Sequence, residues 1–434
     1  MSRRTVLVGS FLKERKNRYS PEEANTLKFR RLEKIDFSGN IHLTDIRNTR
    51  TGMILIRKGD LVISGINVEK GAIAVYDGEE DVLATIHYSS YSFDKEEMDI
   101  EYFKYFLRSK TFKEIVYSNT RGGIKTELKP KRFLSLTILL PHLDKQLEIR
   151  RTLDSVKDEI EELGQLDRSN ENYVARLRQA ILQEAVSGKL VPQDPEDEPA
   201  SVLLERIQKD KEILFGNERS GKIDLIDPEK IPYDLPKNWI WCHLENVGLL
   251  QRGKSKHRPR NDPSLFEDGK YPLVQTGDIS KAKNQNGLIE TYTSKYNESG
   301  LKQSKLWPKG TLCISIAANI AETGFLKFDA CFPDSVVAFV PVIDQSIARY
   351  VMLFIELTKS DIEEFAPSTA QKNINLGILN SLLLPLPPLA EQKRILTKVD
   401  DLMKLCDELE EKVKENRNNS DLLMETVLKE AFAS

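Results

Sequence analysis

Basic side chains recur at short intervals in two stretches of the sequence. The stretch 251–260, QRGKSKHRPR, carries cations that alternate with small or polar residues: Arg252, Lys254, Lys256, Arg258 and Arg260. The stretch 11–20, FLKERKNRYS, carries Lys13, Arg15, Lys16 and Arg18. The run at 251–260 has no apolar period, which excludes a core element and indicates a loop that is either merely solvated or follows the phosphates of a nucleic acid.

Two polar clusters add groups that can read base edges. They are RGGIKTE (121–127) and STAQKNIN (368–375). Glutamine and asparagine can pair with adenine, and lysine with guanine or phosphate. The candidate DNA contacts in these clusters are Arg121, Lys125, Gln371, Lys372 and Asn373. Three more lie in or beside the similar segments TDI (44–46) and TGDI (276–279): Arg47, Thr276 and Asp278. Ordinary surface is the alternative interpretation of any one of these residues.

Sequence signatures of catalysis are weak. GNERSGKI (216–223) has the glycine and lysine spacing of a phosphate-binding loop, but Ile223 offers no hydroxyl for Mg²⁺. The five histidines form no HExxH, no GxGxxG is present, and the four cysteines form no CxxC pair. Scattered thiols of this kind are typical of buried residues in a reducing compartment. We predict a chain without catalysis, cofactor or metal.

The chain contains an internal repeat. Residues 141–163 match 387–409 at an offset of 246, and the same offset carries 177–188 onto 423–434. KGDLVIS (58–64) also resembles KGTLCIS (309–315). The sequence therefore predicts two copies of one unit, 1–188 and 247–434, with approximate two-fold symmetry and a single-copy connector.

Each copy begins with the pattern of a mixed α/β globule. Short β-rich runs separated by Gly, Pro, Asn and Asp occupy 52–88 and 271–342 and indicate strands of a small irregular sheet. Apolar residues at helical spacing follow at 101–118 and 347–365, which indicates one amphipathic helix in each copy.

Heptad spacing then dominates the end of each copy. We predict a helix of about 40 residues in each, paired as an antiparallel coiled coil. The predicted seam consists of Ile149, Leu153, Val156, Ile160 and Leu163 in the first copy and Ile395, Val399, Leu402, Cys406 and Leu409 in the second. The alternative is two independent helices, each packed on its own domain.

Length and charge agree with this organisation. The chain has 434 residues, of which 40% are hydrophobic, enough for two or three cores. Net charge is −3, but it alternates: 1–142 and 235–386 are basic, whereas 143–234 and 387–434 are acidic. A polyanion would meet the basic segments.

The sequence shows no secretory signal and no run long enough to span a membrane, so we expect a cytoplasmic protein without a membrane partner.

Three segments resemble a known family. LPLPPLAEQKRILTKVDDLMKLCDELE (384–410), AILQEAVSGKLVPQDPEDEPASVLLERI (180–207) and LPKNWIW (235–241) look like the specificity subunit of type I restriction-modification systems. The resemblance implies two target recognition domains, each reading one half of a bipartite double-stranded DNA site in the major groove. It implies that the helices set the spacing and dock two methyltransferase subunits, to which restriction translocase subunits add.

The same resemblance implies domain boundaries. Target recognition domain 1 would be 1–142, conserved helical region 1 would be 143–215, the linker 216–234, target recognition domain 2 would be 235–386, and conserved helical region 2 would be 387–434. The first domain departs from the pattern, because it has no counterpart of 235–241. Either this domain lacks an edge strand or its start is placed too late.

Two other interpretations stay open. A coiled-coil scaffold presenting two domains to proteins or glycans would not bind DNA with or without a partner. A homodimeric DNA-binding regulator is the other, although an internal repeat makes a second copy unnecessary. Neighbouring genes for a methyltransferase and a helicase-nuclease would favour the specificity subunit.

Overall fold

The computed structural model describes residues 3–45, 48–120, 129–216, 226–257, 259–364 and 374–433. The chain divides into two compact units. Unit 1 comprises Met1–Asn170 and Lys412–Ser434, and unit 2 comprises Glu171–Glu411. Each unit therefore combines one globular region with part of each long helix. The finer division into five segments stays a prediction.

Unit 1 begins with short strands and ends in helices. Its strands are β1 Arg3–Leu7, β2 Leu12–Glu14, β3 Arg18–Tyr19, β4 Arg31–Ile35, β5 Ile41–Thr44, β6 Met53–Ile56, β7 Leu61–Ser64, β8 Ile73–Val75, β9 Val82–Thr85, β10 Tyr88–Phe93 and β11 Thr137–Pro141. Its helices are α1 Pro21–Thr26, α2 Ile100–Arg108, α3 Lys110–Thr120, α4 Pro130–Leu134 and the first part of α5 Leu143–Val186.

Unit 2 repeats that order after a connecting helix. Its strands are β12 Ile240–His243, β13 Gly248–Arg252, β14 Tyr271–Leu273, β15 Leu288–Ile289, β16 Ser294–Tyr296, β17 Leu306–Trp307, β18 Leu312–Ser315, β19 Thr323–Leu326, β20 Ala330–Cys331, β21 Val336–Pro341 and β22 Leu383–Leu386. Its helices are α6 Ala200–Phe215, α7 Thr276–Ala282, α8 Glu298–Lys302, α9 Gln345–Leu357, α10 Lys359–Glu364, α11 Leu376–Asn380 and the first part of α12 Leu389–Phe432.

The sheets repeat as well. Unit 1 holds sheets of order β2-β10-β7-β8, β3-β6-β9-β4-β5 and β1-β11. Unit 2 holds sheets of order β13-β21-β18-β19-β15, β16-β14-β20-β17 and β12-β22. In both units the matching segment, KGDLVIS or KGTLCIS, contains the first strand of an antiparallel hairpin, β7-β8 or β18-β19. The mixed α/β class and the repeat predicted from the sequence are confirmed at the level of elements.

Strand β1 corrects one expectation about the first domain. One alternative from the sequence is that this domain lacks an edge strand. However, β1 pairs with β11 over five residues, from Arg3 opposite Pro141 to Leu7 opposite Thr137. Its equivalent in unit 2, β12, pairs with β22 in the same antiparallel sense. RRTVL lacks the proline and the two tryptophans of 235–241, so the sequence match fails although the strand is present.

The amphipathic helix predicted in each copy is two helices. In unit 1 the break lies at Ser109, whose hydroxyl donates to Phe106 O at 2.7 Å and accepts from Phe112 N at 3.2 Å. Ser109 thus ends α2 and begins α3, because a short hydroxyl side chain satisfies backbone groups that a continuous helix would pair. In unit 2 the break lies at Thr358, whose hydroxyl donates to Phe354 O at 2.8 Å.

The long helices α5 and α12 each contain 44 residues, close to the predicted 40. In unit 1, the first part of α5 shares a core with the last part of α12, through Leu153, Leu428 and Phe432. In unit 2, the last part of α5 shares a core with the first part of α12, through Ile181 and Val399. The first part of each helix thus shares a core with the last part of the other helix, as in an antiparallel pair.

Two residues of the predicted seam are not buried. Leu163 is 45% exposed and Leu409 is 44% exposed, whereas Leu153, Ile395, Val399 and Cys406 are buried. Ile149, Val156, Ile160 and Leu402 are half-buried. A straight α-helix drifts by about 20° per heptad relative to a strict 3.5-residue repeat, so a seven-residue pattern does not by itself keep every position on the buried face.

No helix within the described ranges combines the length and the low charge that a membrane span requires. The long helices carry charged residues throughout, as the alternation of acidic and basic side chains in 143–186 illustrates.

Candidate nucleic-acid interface

In unit 2, three chain segments meet at one edge of a sheet, where β13 and β18 end and β21 begins. They are the stretch after β13, the loop after β18 and the residues just before β21. Gly253 N donates to Val336 O at 2.9 Å, immediately after β13. Ile316 N donates to Ser335 O at 2.9 Å, immediately after β18. The basic stretch 251–260 and the hairpin loop 316–322 therefore leave the sheet side by side.

The basic stretch places its cations on one side. Arg252, Lys254 and Lys256 are exposed, whereas Gly253 and Ser255 between them are buried. In extended backbone successive side chains point in opposite directions, so alternation of cation and small residue directs every cation outward. Gly253 is required by close packing, because a Cβ there would lie 2.3 Å from the carbonyl oxygen of Pro333.

Side-chain hydrogen bonds hold this loop in place. Gln303 Oε1 accepts from the backbone N–H of Lys256 at 2.7 Å and of His257 at 3.2 Å. Ser304 Oγ donates to Lys254 O at 2.9 Å. Two hydrogen bonds from Ser264 lower the pKa of Asp262, and His257, whose Nε2 lies 2.7 Å from Asp262 Oδ2, lowers it further. The loop is thus preorganised.

The cations of this loop differ in availability. Arg252 donates to the backbone oxygen of Asp334, and Arg260 forms an ion pair with the Asp334 carboxylate at 2.5 Å. Lys254 and Lys256 have no ion-pair partner among the residues that the structure describes. These two lysines therefore carry the uncompensated charge of this edge.

The hairpin loop 316–322 is strained and supported. Ala318 and Ala321 have φ angles of 63° and 58°, in the left-handed region that favours glycine. Ser315 Oγ donates to Asn319 O and accepts from Glu322 N at 3.1 Å, and Asn319 Nδ2 donates to Ser280 Oγ at 2.8 Å. Sequence reasoning missed this loop, because alanine gives no signal for a positive φ.

Unit 1 has the equivalent edge. Arg15 N donates to Ser90 O at 2.8 Å just after β2, and Gly65 N donates to His87 O at 3.1 Å just after β7. The basic stretch 11–20 and the hairpin loop that follows β7 therefore leave this sheet together, as their counterparts do in unit 2. Two exposed isoleucines that sequence reasoning missed, Ile66 and Ile86, are each adjacent to one partner of the Gly65–His87 hydrogen bond.

Arg15 differs from the other cations of its stretch. Its guanidinium binds both carboxylate oxygens of Asp60, with Nη2–Oδ1 at 2.8 Å, and the pKa of Arg15 is raised mainly by this hydrogen bonding. Asp60 is buried and also accepts from Ser90 Oγ at 2.9 Å. Arg15 therefore holds the sheet edge together. Lys13, Lys16 and Arg18 are exposed.

Thr276 and Asp278 lie at the start of α7. Asp278 is buried, and its Oδ2 accepts from Gln275 N at 3.0 Å while Oδ1 accepts from Thr293 Oγ1 at 3.1 Å. These bonds cap the helix, so the geometry gives Asp278 a structural role. Thr276 is half-buried.

Seven predicted contacts lie outside the described residues: Arg47, Arg121, Lys125, Arg258, Gln371, Lys372 and Asn373. The chain that follows the last three returns to the edge described above. Ile374 N donates to Ile316 O at 2.9 Å, beside the hairpin loop of unit 2.

Groups suited to metal binding or nucleophilic chemistry do not gather at these edges. The described ranges contain no cluster of three or more His, Cys, Asp or Glu side chains that could hold a metal ion. All four cysteines are free and buried, as the sequence predicts. Burial raises the pKa of Cys331 to about 11 and that of Cys242 further, so these thiols stay protonated at neutral pH.

Comparison with known proteins gives consistent matches. Residues 236–417 match the family model of the type I restriction modification DNA specificity domain. The specificity subunits of the type I restriction enzymes EcoEI and EcoAI from Escherichia coli are both 28% identical to this chain. The matches cover 56% and 59% of this chain, and 43% and 44% of the relatives. The chain thus spans less than half the length of these two relatives.

A solved structure agrees over nearly the whole length. The HsdS subunit from Thermoanaerobacter tengcongensis superposes with a TM-score of 0.58 at 18% identity, covering 99% of this chain and 96% of that one. This likeness concerns the fold, with its sheet-rich globular regions and two long helices. Together with the family model over 236–417 and the curated relatives at 28% identity, it shows that the chain is similar to type I restriction-modification specificity subunits in both sequence and fold.

Proposed function

We propose that this chain is the DNA sequence-specificity subunit of a type I restriction-modification complex. Each globular region reads one half of a bipartite site in the major groove of double-stranded DNA. The two long helices set the spacing between the halves and dock two methyltransferase subunits, which carry the catalytic chemistry. Restriction translocase subunits add to this complex, and the complex acts in the cytoplasm.

The observation that carries this proposal is the repetition of one arrangement. In each unit a basic stretch and a β-hairpin loop leave the same sheet edge, with exposed, unpaired lysines among the described residues at Lys16 in one unit and Lys254 and Lys256 in the other. Positive charge positions a protein on the phosphates, and neighbouring loops supply base contacts. Two such edges in one chain could each contact one of two short blocks of DNA sequence.

The docking role is supported by leucines that repeat along the chain and stay exposed. Leu163 matches Leu409 and Leu177 matches Leu423 at the offset of 246. All four are exposed by 44–45%. Unit 1 carries Leu163 on α5 and Leu423 on α12, and unit 2 carries Leu177 on α5 and Leu409 on α12. Each unit thus offers one equivalent pair, which suits two identical partners.

These leucines test docking without disturbing the core. Val399 is buried in unit 2, so a charge there would impair folding itself. We expect the pair Leu163→Glu with Leu423→Glu to reduce the complex from two methyltransferase subunits to one, measured by native mass spectrometry. The matched control is Gln165→Glu with Asn418→Glu, two exposed positions about 200° round the same helices. Two bound subunits in the leucine variant would contradict the docking role.

The function is tested by methyl transfer in vitro. The methyltransferase encoded beside this chain is assayed with labelled S-adenosylmethionine on DNA from a strain that lacks this methyltransferase, with and without the chain. We expect incorporation only when the chain is present, because the methyltransferase alone has no means of selecting a site. Equal incorporation in both samples would favour the scaffold interpretation.

A further inference from the structure

A large basic cleft lies in unit 1, beside the edge described above. Its volume is about 1030 Å³, and it runs between strand β8 and helices α2 and α3. β8 is the outer strand of its sheet, so this side of the sheet has no further strand to cover it. The turn at Ser38–Asn40 closes one side of the cleft.

Three elements contribute cations that lack an ion-pair partner among the described residues. Lys70 comes from the hairpin loop after β7, Arg108 from the end of α2 and Lys113 from α3. Two further lysines are compensated, since Lys104 pairs with Asp77 at 2.9 Å and Lys110 lies 3.7 Å from Glu114. The net charge of the cleft is therefore positive.

The entrance to the cleft is held rigid. A Cβ on Gly71 would lie 2.3 Å from the carbonyl oxygen of Phe37, and Gly71 has a φ of 103°. The turn that carries Phe37 therefore packs directly on the hairpin loop. Lys70 Nζ lies 5.7 Å from the centre of the Phe37 ring, which stays 61% exposed. Lys70 and the turn that carries Phe37 are thus in place before any ligand binds.

One loop connects the cleft with the candidate reading edge. Gly65, at the start of the hairpin loop, is hydrogen-bonded to His87 at that edge, and Lys70 and Gly71 later in the same loop line the cleft. If the groove of a duplex faces this edge, the phosphates next to the recognised block would lie toward β8, the strand that borders the cleft. A positive groove that tracks such phosphates supplies affinity without reading sequence.

We propose that this cleft binds the phosphodiester backbone of the duplex next to the block that unit 1 reads, through Lys70, Arg108 and Lys113. The inference rests on the proposed function of the chain. It assigns these three residues to affinity, and it leaves the choice of bases to the loops at the sheet edge.

The salt dependence of DNA binding tests the assignment. The full chain, assembled with its methyltransferase subunits, is titrated with a duplex carrying its methylation motif at several salt concentrations. The test variant is Lys70→Gln, Arg108→Gln, Lys113→Gln. The matched control is Lys95→Gln, Lys131→Gln, Arg132→Gln, which removes the same charge from exposed residues. Lys95 follows the far end of β10, and the other two lie on α4, which packs near the start of β2.

We expect the slope of log affinity against log salt to fall by about 2–3 in the test variant, since each phosphate contact contributes about 0.9. The control slope should stay at the wild-type value, and the methylated motif should be unchanged in both variants. The motif separates a phosphate role from a base-reading role, because only the second would alter it.

The outcomes distinguish the inference from the function on which it rests. No preference of the wild-type complex for its motif would overturn the proposed function and the inference with it. A wild-type complex that selects its motif, with equal slopes in test and control variants, would overturn the inference alone. A changed motif in the test variant would also overturn it, because the cleft would then be reading bases.

Discussion

Arg15 and Lys16 are neighbours in the sequence, yet the structure gives them different roles. The pattern FLKERKNRYS presents four similar cations, and nothing in it separates one from another. The structure shows that Arg15 lies on the buried Asp60, a partner 45 residues away, while Lys16 is exposed. Tertiary contacts determine which of these cations pairs with a buried carboxylate. Composition and spacing therefore do not predict the pairing of Arg15.

Replacing Arg15 by Gln is expected to lower stability, by on the order of 3 kcal/mol, because it leaves the Asp60 carboxylate buried without its cation. Replacing Lys16 by Gln should change stability by less than about 0.5 kcal/mol, as is usual for an exposed site, while weakening DNA binding. Thermal melting of the two variants and titration with duplex DNA check these effects. Equal melting temperatures would show that Arg15 has no structural role.

Asp344 makes the stability of unit 2 depend on acid. Its Oδ2 lies 2.7 Å from Lys393 Nζ and its Oδ1 accepts from Ser346 N at 2.8 Å, contacts that lower its pKa to about 2. A carboxylate with a lower pKa in the folded state stabilises it above the unfolded pKa, near 4, and this contribution is lost as pH falls toward 2. Asp344→Asn keeps the helix cap but removes the charge.

We therefore expect wild type to melt at a higher temperature than Asp344→Asn at pH 7, with the difference shrinking between pH 5 and 2. Melting curves recorded across this range give the comparison. A difference that stays constant down to pH 2 would rule out the Lys393 ion pair as its source.

At the scale of elements, two glycines of unit 2 differ in the space available for a Cβ atom. Gly253 has no room for a Cβ beside Pro333, whereas Gly277 in α7 has nothing within 4 Å. Gly253→Ala should cost about 1–3 kcal/mol and displace the cations of the loop, so that DNA affinity falls as well. Gly277→Ala should be neutral or stabilise by up to about 1 kcal/mol, because alanine favours a helix. Chemical denaturation of both variants measures this contrast.

The sequence predicts elements well where local pattern decides them. Apolar spacing alone gives the two long helices, and the repeated β-rich runs give the strands β7, β8, β18 and β21 near their observed bounds. It does not give the breaks at Ser109 and Thr358, since each depends on a hydroxyl choosing backbone partners. It also misses the hairpin loop at 316–322, where two alanines have positive φ angles and Ser315 forms hydrogen bonds with the backbone across the loop.

At the scale of the whole molecule, the repeat fits the proposed recognition of a bipartite site by one chain. The same sheets, hairpins and exposed leucines occur once in each unit. Under the proposed function, a chain with two such units needs no second copy to bind two blocks of sequence, whereas a homodimeric regulator would. The sequence reveals the repeat clearly in the helices, where one offset persists without gaps, and faintly in the globular regions, where loops differ in length.

The helices should determine the unread gap. Inserting seven residues into α5 after Leu163 and into α12 after Leu409, the repeat-equivalent position, adds about 10.5 Å of helix to each. At about 3.4 Å per base pair, we expect the gap to grow by about three base pairs while both specific blocks stay the same. Methylome sequencing of a strain with this variant reads the gap directly. An unchanged gap with retained methylation would contradict the spacing role.

The central claim is that this chain selects the DNA site, and methylome sequencing of a host that expresses its neighbouring methyltransferase, with and without the chain, tests it most directly. We expect an adenine-methylated motif of two short blocks around a fixed gap, present only with the chain. An identical methylome in both strains, with the methyltransferase active, would contradict the claim.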